Sequence, residues 1–200
     1  MRGGSTIEAV PLRNEWVALE PLAPSHAPEL AAAVGNPAEL FRWMSIWMPA
    51  TDLSGMVGVV AAFVEAARRG ELAPWAIRRR RDGALVGSTS YLDIDVANRH
   101  VEVGATWIGE AWWRTEVNTA TKLLVLGHAF DTLGMERVAL KTHHLNVRSH
   151  VAIERLGAVR EGVLRHHMLH PDGRWRDTVY YSILRDEWPA ARNRLLDRLG

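Results

Sequence analysis

The stretch from Trp107 to Gly157 constrains this chain most. It runs through a strand end, the turn Trp112-Trp113-Arg114-Thr115-Glu116-Val117-Asn118-Thr119, a long amphipathic segment and a strand, and then Asn146-x-x-Ser149 opens a second helix. From Asn118 to Leu133 the residues Ala120, Leu123, Leu124, Gly127, Phe130 and Leu133 recur at helical intervals, and Gly134 stands where a helix stop belongs. A helix of that length lets the strands His100 to Ile108 and Arg137 to Thr142 lie parallel, joined by a crossover. Two strand-to-helix junctions then face one crevice, the place where ligands of α/β sheets bind.

The rest of the chain reads in the same way. Trp16 to Leu22 alternates as a strand, and Pro24-Ser25 starts an Ala-rich helix that stops near Gly35-Asn36-Pro37. Met56, Val59, Val60, Phe63, Val64 and Ala67 predict a helix over Leu53 to Arg69, ended by Gly70. Pro74 to Arg80, Leu85 to Asp93 and His100 to Ile108 form an antiparallel meander, turning at Asp82-Gly83 and Ala97-Asn98. After the crossover come a short helix over Val147 to Leu156, a stop at Gly157, and strands Val159 to Leu169 and Trp175 to Leu184 joined at Pro171-Asp172-Gly173. A polar helix over Pro189 to Leu199 closes the chain. The order β-α-α-β-β-β-α-β-α-β-β predicts an α/β (α+β) class with a mixed, mostly antiparallel sheet flanked by helices. Residues 1–14 read as an N-terminal extension, 15–189 as one domain and 190–200 as a C-terminal helical tail.

Composition removes several function classes. Lys plus Arg number 24 against 23 Asp plus Glu, so a net charge of +1 supplies no general attraction to nucleic acid or membrane. The basic run Arg78 to Arg81 ends in a turn and splits between strand faces, which suits a solvated hairpin tip. The absence of cysteine excludes disulfides, thiolate metal sites and a cysteine nucleophile. No apolar run approaches the ~20 residues of a membrane span, so a soluble, cytoplasmic protein is expected. The nine tryptophans suit core packing or a dimer surface. His143-His144 and His166-His167-x-x-His170 lack an acidic partner at ligand spacing, and neighbours on a strand face opposite ways, so no metal is expected.

At the first junction, Asn118 or Thr119 can cap the long helix, whose free amides and dipole suit an anion such as a pyrophosphate. Every helix start offers as much, Glu116 opposes an anion, and without glycine the turn must close without relief at positive φ. At the second junction, Asn146 and Ser149 can face the same crevice, or can be no more than a helix cap and a first-turn residue.

These junctions, followed by Gly157-Ala158-Val159-Arg160-Glu161-Gly162-Val163-Leu164-Arg165 and Asp172-Gly173-Arg174-Trp175-Arg176-Asp177-Thr178-Val179-Tyr180-Tyr181-Ser182, resemble the GCN5-related N-acetyltransferases. Within that family the chain is similar to the RimJ/RimL group of ribosomal-protein N-terminal acetyltransferases, over about Val17 to Trp188. The resemblance implies a sheet splayed at an acetyl-CoA site, with acetyl-CoA as the co-substrate. Trp107 and Ile108 would end the strand that guides the pantetheine. Arg114, Thr115, Glu116, Val117, Asn118 and Thr119 would hold the pyrophosphate, with Glu116 and Asn118 at positions where the family has small residues. Asn146 would bond the pantetheine arm, and Ser149 would stabilise or protonate the departing thiolate. Glu102 is the first candidate for the base, because the alternation Glu102, Gly104, Thr106 points it at the crevice; its other reading is an exposed strand carboxylate. Asp93 and Asp95 stand behind it. Trp43 and Trp47 are candidates for the acceptor wall, and core packing is the equal alternative for both.

The expected reaction is transfer of acetyl to a primary amine, a peptide or protein N-terminus or a small molecule, by direct attack in a ternary complex. The alternatives are a non-catalytic CoA-binding module, and an acyltransferase using another donor such as succinyl-CoA. A homodimer is the expected assembly.

Overall fold

The computed structural model describes residues 6–44, 52–170 and 172–200. Trp47 lies outside them, as does Pro171 of the last turn.

Eight strands form one sheet: β1 (Leu12–Arg13), β2 (Val17–Pro21), β3 (Ala73–Arg79), β4 (Leu85–Asp95), β5 (His100–Ile108), β6 (Arg137–His143), β7 (Val159–Leu169) and β8 (Trp175–Leu184). Their spatial order is β1-β2-β3-β4-β5-β6-β8-β7, and each neighbouring pair is antiparallel except β5 with β6. The crossover helix α4 (Val117–Gly127) imposes the one parallel pair, since a chain that leaves one end of the sheet must return before the next strand starts. The sheet is mixed and mostly antiparallel, as expected.

The helices α1 (Ala27–Ala33), α2 (Pro37–Leu40) and α3 (Leu53–Arg68) precede β3, while α5 (Val147–Glu154) and α6 (Trp188–Asp197) follow β6 and β8. On one sheet face Val101, Val103, Val138, Leu140, Tyr181 and Ile183 bury against Val117, Ala120, Leu126 and Phe130 of the crossover segment, with Ile153 of α5 and Leu195 of α6. On the other, Ala76, Leu85 and Trp107 meet Leu30 of α1 and Met56 and Val60 of α3. Each sheet face thus has its own apolar cover, and every strand of the centre carries side chains to both.

Three local features depart from the sequence reading. The stretch read as an extension supplies β1, a core residue in Ile7, and the carbonyl of Val10, which accepts a 2.7 Å bond from the indole of the fully buried Trp75. The crossover helix does not end as a simple α-helix: His128–Thr132 is a π-helical turn, and Gly134 then stops it at φ +66°. The last helix begins at Trp188 and is apolar on one side, burying Ala191 and Leu195. Among the described residues no helix is long and apolar enough to cross a membrane.

Candidate active site at the parting of β5 and β6

The parallel pair holds for three registers, His100 with Arg137, Val101 with Val138, and Glu102 with Ala139. Beyond Glu102 the ladder stops, although β5 continues to Ile108 and β6 to His143. A wedge opens between two strand edges whose backbone groups have no ladder partner there, and such groups are obligate hydrogen-bonders.

A bulge in β5 accompanies the parting. Between the pairs Ser90 with Gly104 and Ser88 with Trp107, β5 has one residue more than β4, and Ala105 takes φ +47°. The extra residue reverses the alternation of faces. Thr106 therefore points away from Glu102, toward the α4 side, where its hydroxyl lies 2.8 Å from Thr89 Oγ1 and accepts a 3.0 Å bond from Lys122 Nζ. This overturns the expectation that Glu102, Gly104 and Thr106 share one face. Lys122 itself is 6 % exposed, and burial brings its ammonium down to about 8.

At the start of α4 the turn closes differently from expectation. Arg114 adopts φ +63°, so a non-glycine residue supplies the left-handed step. Glu116, not Asn118 or Thr119, is the N-cap, and its side chain bonds no helix amide. Thr115 secures the turn instead: its hydroxyl donates to the Trp112 carbonyl at 2.7 Å and accepts weakly from Val117 N at 3.4 Å. Val117 is buried, which fixes the helix against the sheet and leaves Asn118 and Thr119 half-buried in the first turn. The Trp113 indole donates to the Ile108 carbonyl at 2.7 Å and ties the turn to the end of β5. Trp107 turns to the α1 and α3 side, edge-on to Phe41.

At the second junction Asn146 caps α5, its Oδ1 accepting from Ser149 N at 3.1 Å. That uses the side-chain carbonyl and leaves the amide donors for another partner. Ser149 sits half-buried one turn in. Arg148, between them, lays its guanidinium 3.6 Å from the ring centroid of Trp113, a cation–π stack joining the two helix starts across the mouth of the wedge. It also brings positive charge to a turn that has Glu116.

The face opposite α4 holds the carboxylate. Glu102 is 2 % exposed, so it is no surface strand residue, and its Oε2 lies 2.7 Å from Lys141 Nζ. Burial raises its pKa above the ordinary carboxylate value, against the pull of Lys141. Gly104 makes room for it, because a Cβ there would stand 2.6 Å from Glu102 Oε1. Asp93 is exposed, and Asp95 is committed to the turn through Asn98 at 2.9 and 2.7 Å. Along β6 and β8, Lys141 pairs with Tyr180 and His143 with Thr178, so these side chains share the face of Glu102. The buried Arg176 belongs to the same face by alternation.

Trp43 packs its ring 4.7 Å from that of His143. His143 is buried, accepts from Leu145 N at 3.0 Å, and is held neutral with a pKa of about 4, by burial first and then by His144 and Arg176. No group of His, Asp or Glu suited to a metal ion occurs among the described residues. Lys122, Lys141, Arg148 and Arg176 escaped the sequence reading. A signal existed for two of them: Lys141 directly follows the apolar Val138-Ala139-Leu140 within one strand, and Arg176 lies inside a strand otherwise rich in core residues.

The acetyltransferase (GNAT) domain family matches residues 17–159, more than two thirds of the chain. YdaF of Bacillus subtilis (strain 168), which bears the provisional name ribosomal N-acetyltransferase, is 36% identical over 111 residues, 56% of this chain and 60% of that protein. The chain spans about three fifths of the length of the curated relatives it matches. A GCN5-related N-acetyltransferase from Brucella melitensis has a crystal structure that superposes with a TM-score of 0.89 at 30% identity, over 98% of this chain and 88% of that one. Mycobacterium smegmatis RimJ, solved in complex with CoA-disulfide, shares the fold with a TM-score of 0.80 at 23% identity, over 99% and 97% of the two chains. With this fold, this wedge and a family match that covers most of the sequence, the chain belongs to the acetyltransferase (GNAT) domain family.

Proposed function

We propose that this protein transfers an acetyl group from acetyl-CoA to a primary amine. The observation that carries the reading is the wedge between β5 and β6, with two helix starts on one side and the buried Glu102 on the other. Three kinds of group suit the carrier: free strand edges for the pantetheine amides, helix amides for the pyrophosphate, and a cation at the mouth in Arg148. The turn from Arg114 to Thr119 is the pyrophosphate seat, Trp107 and Ile108 end the guiding edge, and Asn146 offers its amide N–H to the pantetheine arm. That RimJ of Mycobacterium smegmatis, of the same fold, is solved with CoA-disulfide supports a CoA thioester as the carrier.

The amine nitrogen attacks the thioester carbonyl carbon, and the carbon–sulfur bond breaks. The nitrogen's proton passes to Glu102, directly or through water, and the sulfur takes a proton from Ser149, whose hydroxyl is restored from solvent. The products are one amide and one thiol. A carboxylate whose pKa is raised by burial is a better base near neutrality than an exposed one. The sulfur, with a solution pKa of roughly 8.5, needs only modest assistance to leave. A backbone amide of the bulged strand polarises the carbonyl. The resemblance of YdaF favours a peptide or protein N-terminus among the acceptors.

A thiol-release assay over amines and peptides, paired with calorimetric titration of acetyl-CoA and succinyl-CoA, tests the reading. Release that depends on both an amine and acetyl-CoA is expected. Tight carrier binding without release on any acceptor would instead indicate a non-catalytic CoA-binding module, and faster release from succinyl-CoA a different donor. The exposed edge strand β7, with Val159, Val163 and Leu164 toward solvent, supports a homodimer, which light scattering of the purified protein checks.

A further inference from the structure

On the face of the sheet that holds Glu102, a buried cation lacks a counter-ion. Arg176 is 3 % exposed, and its Nε makes no hydrogen bond among the described residues. All 23 Asp and Glu residues of the chain are described, and none brings a carboxylate oxygen within the 4.0 Å of an ion pair with this guanidinium. Glu102, whose charge Arg176 does feel, is already engaged by Lys141 at 2.7 Å. The local sum is two cations against one buried anion, and an unpaired buried charge is costly.

One more buried polar atom without a hydrogen-bond partner belongs to the same neighbourhood, His170 Nε2. The ring of His170 lies 5.8 Å from that of His143, which in turn meets Trp43. Buried polar atoms are nearly always bonded, so two exceptions, Arg176 Nε and His170 Nε2, on the face that already holds Glu102 mark a place that a polar molecule completes. The charge of Arg176 also bears on His143 and His167, both held below the usual imidazole value by burial first, with Asp172 opposing at His143.

We propose that the acceptor carries an anionic group, a carboxylate or a phosphate close to its amine, and that Arg176 binds it. The inference rests on the acetyl-transfer reading, because that reading makes this face the acceptor's. A guanidinium offers a planar fork to two oxygens of such a group, which Lys141, held by Glu102, does not. Arg176 is a specificity-determining residue here and takes no part in proton transfer.

The experiment compares matched acceptors on the full chain by thiol release: a series of α-amino acids, their carboxamides, and an aminoalkyl phosphate beside the corresponding aminoalcohol. Wild type is expected to favour the anionic member of at least one pair by roughly tenfold or more in kcat/KM. Arg176→Gln should lower kcat/KM for that member by roughly 30-fold, mainly through KM, and change the neutral member less than threefold. Arg176→Lys should recover part of the loss. Which pair shows the preference separates carboxylate from phosphate. Equal or better turnover of the neutral members by wild type, or an undiminished preference in Arg176→Gln, overturns the proposal. Should that variant not fold, the wild-type pairs and Arg176→Lys decide alone. Absence of turnover on every amine defeats the acetyl-transfer reading instead, and calorimetry of succinate and inorganic phosphate on wild type and Arg176→Lys then decides the anion site: heat of binding in wild type that weakens in the variant supports it, and none in wild type removes it.

Discussion

Lys141 Nζ stands 2.7 Å from Glu102 Oε2, and Lys141 lies two residues beyond Ala139, the last residue of β6 to pair with β5. The ion pair spans the opening of the wedge and keeps a carboxylate inside the protein at its apex. The two largest influences on Glu102 are opposed, burial raising its pKa and Lys141 lowering it, and burial is the larger. A base works only when deprotonated, so kcat/KM should climb with pH through a midpoint above the usual carboxylate value. Lys141→Met removes the lowering influence and should move that limb to higher pH. Glu102→Gln should cost ~10²–10⁴ in kcat. A limb that stays in place in Lys141→Met shows that another group titrates.

Gly104 is required by its neighbour rather than by its own backbone. A methyl group there would press on Glu102 Oε1 at 2.6 Å and on Leu92 Cδ1 at 2.8 Å. Gly104→Ala should displace the carboxylate and reduce kcat by about tenfold or more, with CoA affinity within a factor of two or so, since a reacting group misplaced by an ångström loses orientation. Steady-state kinetics beside calorimetry of CoA measure both, and an unchanged kcat means that Glu102 is not the acceptor-side base.

Asn146 has a structural duty that complicates the obvious alanine test. Its Oδ1 caps α5 through Ser149 N, and losing a cap costs ~1 kcal/mol. Asn146→Asp keeps the acceptor and removes the amide donors. It should melt within a few degrees of wild type yet bind CoA about tenfold more weakly. If affinity is retained in Asn146→Asp and lost in Asn146→Ala, the residue acts through the helix alone.

Lys122 makes stability depend on pH. Its folded pKa of about 8 lies below the ordinary lysine value, so the burial penalty is complete below pH 8. As pH rises past that point the unfolded chain binds the extra proton, and stability increases toward pH 10 by up to ~3 kcal/mol. Denaturant titrations between pH 7 and 9.5 should show this slope in wild type and not in Lys122→Met, which should be the more stable protein at pH 7. That window excludes Tyr91, whose buried hydroxyl is held protonated well above its usual range. Parallel curves for the two proteins would mean that the ammonium is solvated.

Arg148 is exposed, and its stack on Trp113 leaves the edge of the guanidinium available to oxygen ligands. Arg148→Ala should weaken CoA binding by about tenfold and flatten its dependence on salt, as loss of one phosphate contact does. Calorimetry at two salt concentrations checks it, and equal salt slopes in the two proteins remove Arg148 from the carrier site.

The amphipathic crossover, the meander turns and the stop at Gly134 were legible in the chain because each is written in residues a few positions apart. The same holds for the two helix starts at Asn118 and Asn146, although the cap of the first proved to be Glu116, with Thr115 securing the turn. The left-handed step at Arg114 was hidden, since the usual marker of positive φ is glycine and the tertiary tie from Trp113 to Ile108 holds an arginine there. The bulge at Ala105 was equally hidden, and with it the turning of Thr106 toward Lys122. A bulge depends on how two strands far apart in sequence are matched, and no local pattern encodes that register.

The sequence by itself determined the order of elements, the parallel pair and the family resemblance, because periodicity, turn residues and crossover length are local properties of the chain. Only the tertiary structure decided that Glu102 is buried and paired with Lys141, and that Arg176 shares its face with no carboxylate to meet it. Charge pairing and burial belong to strands brought together from residues 100–108, 137–143 and 175–184, and their energies exist only once those strands are neighbours.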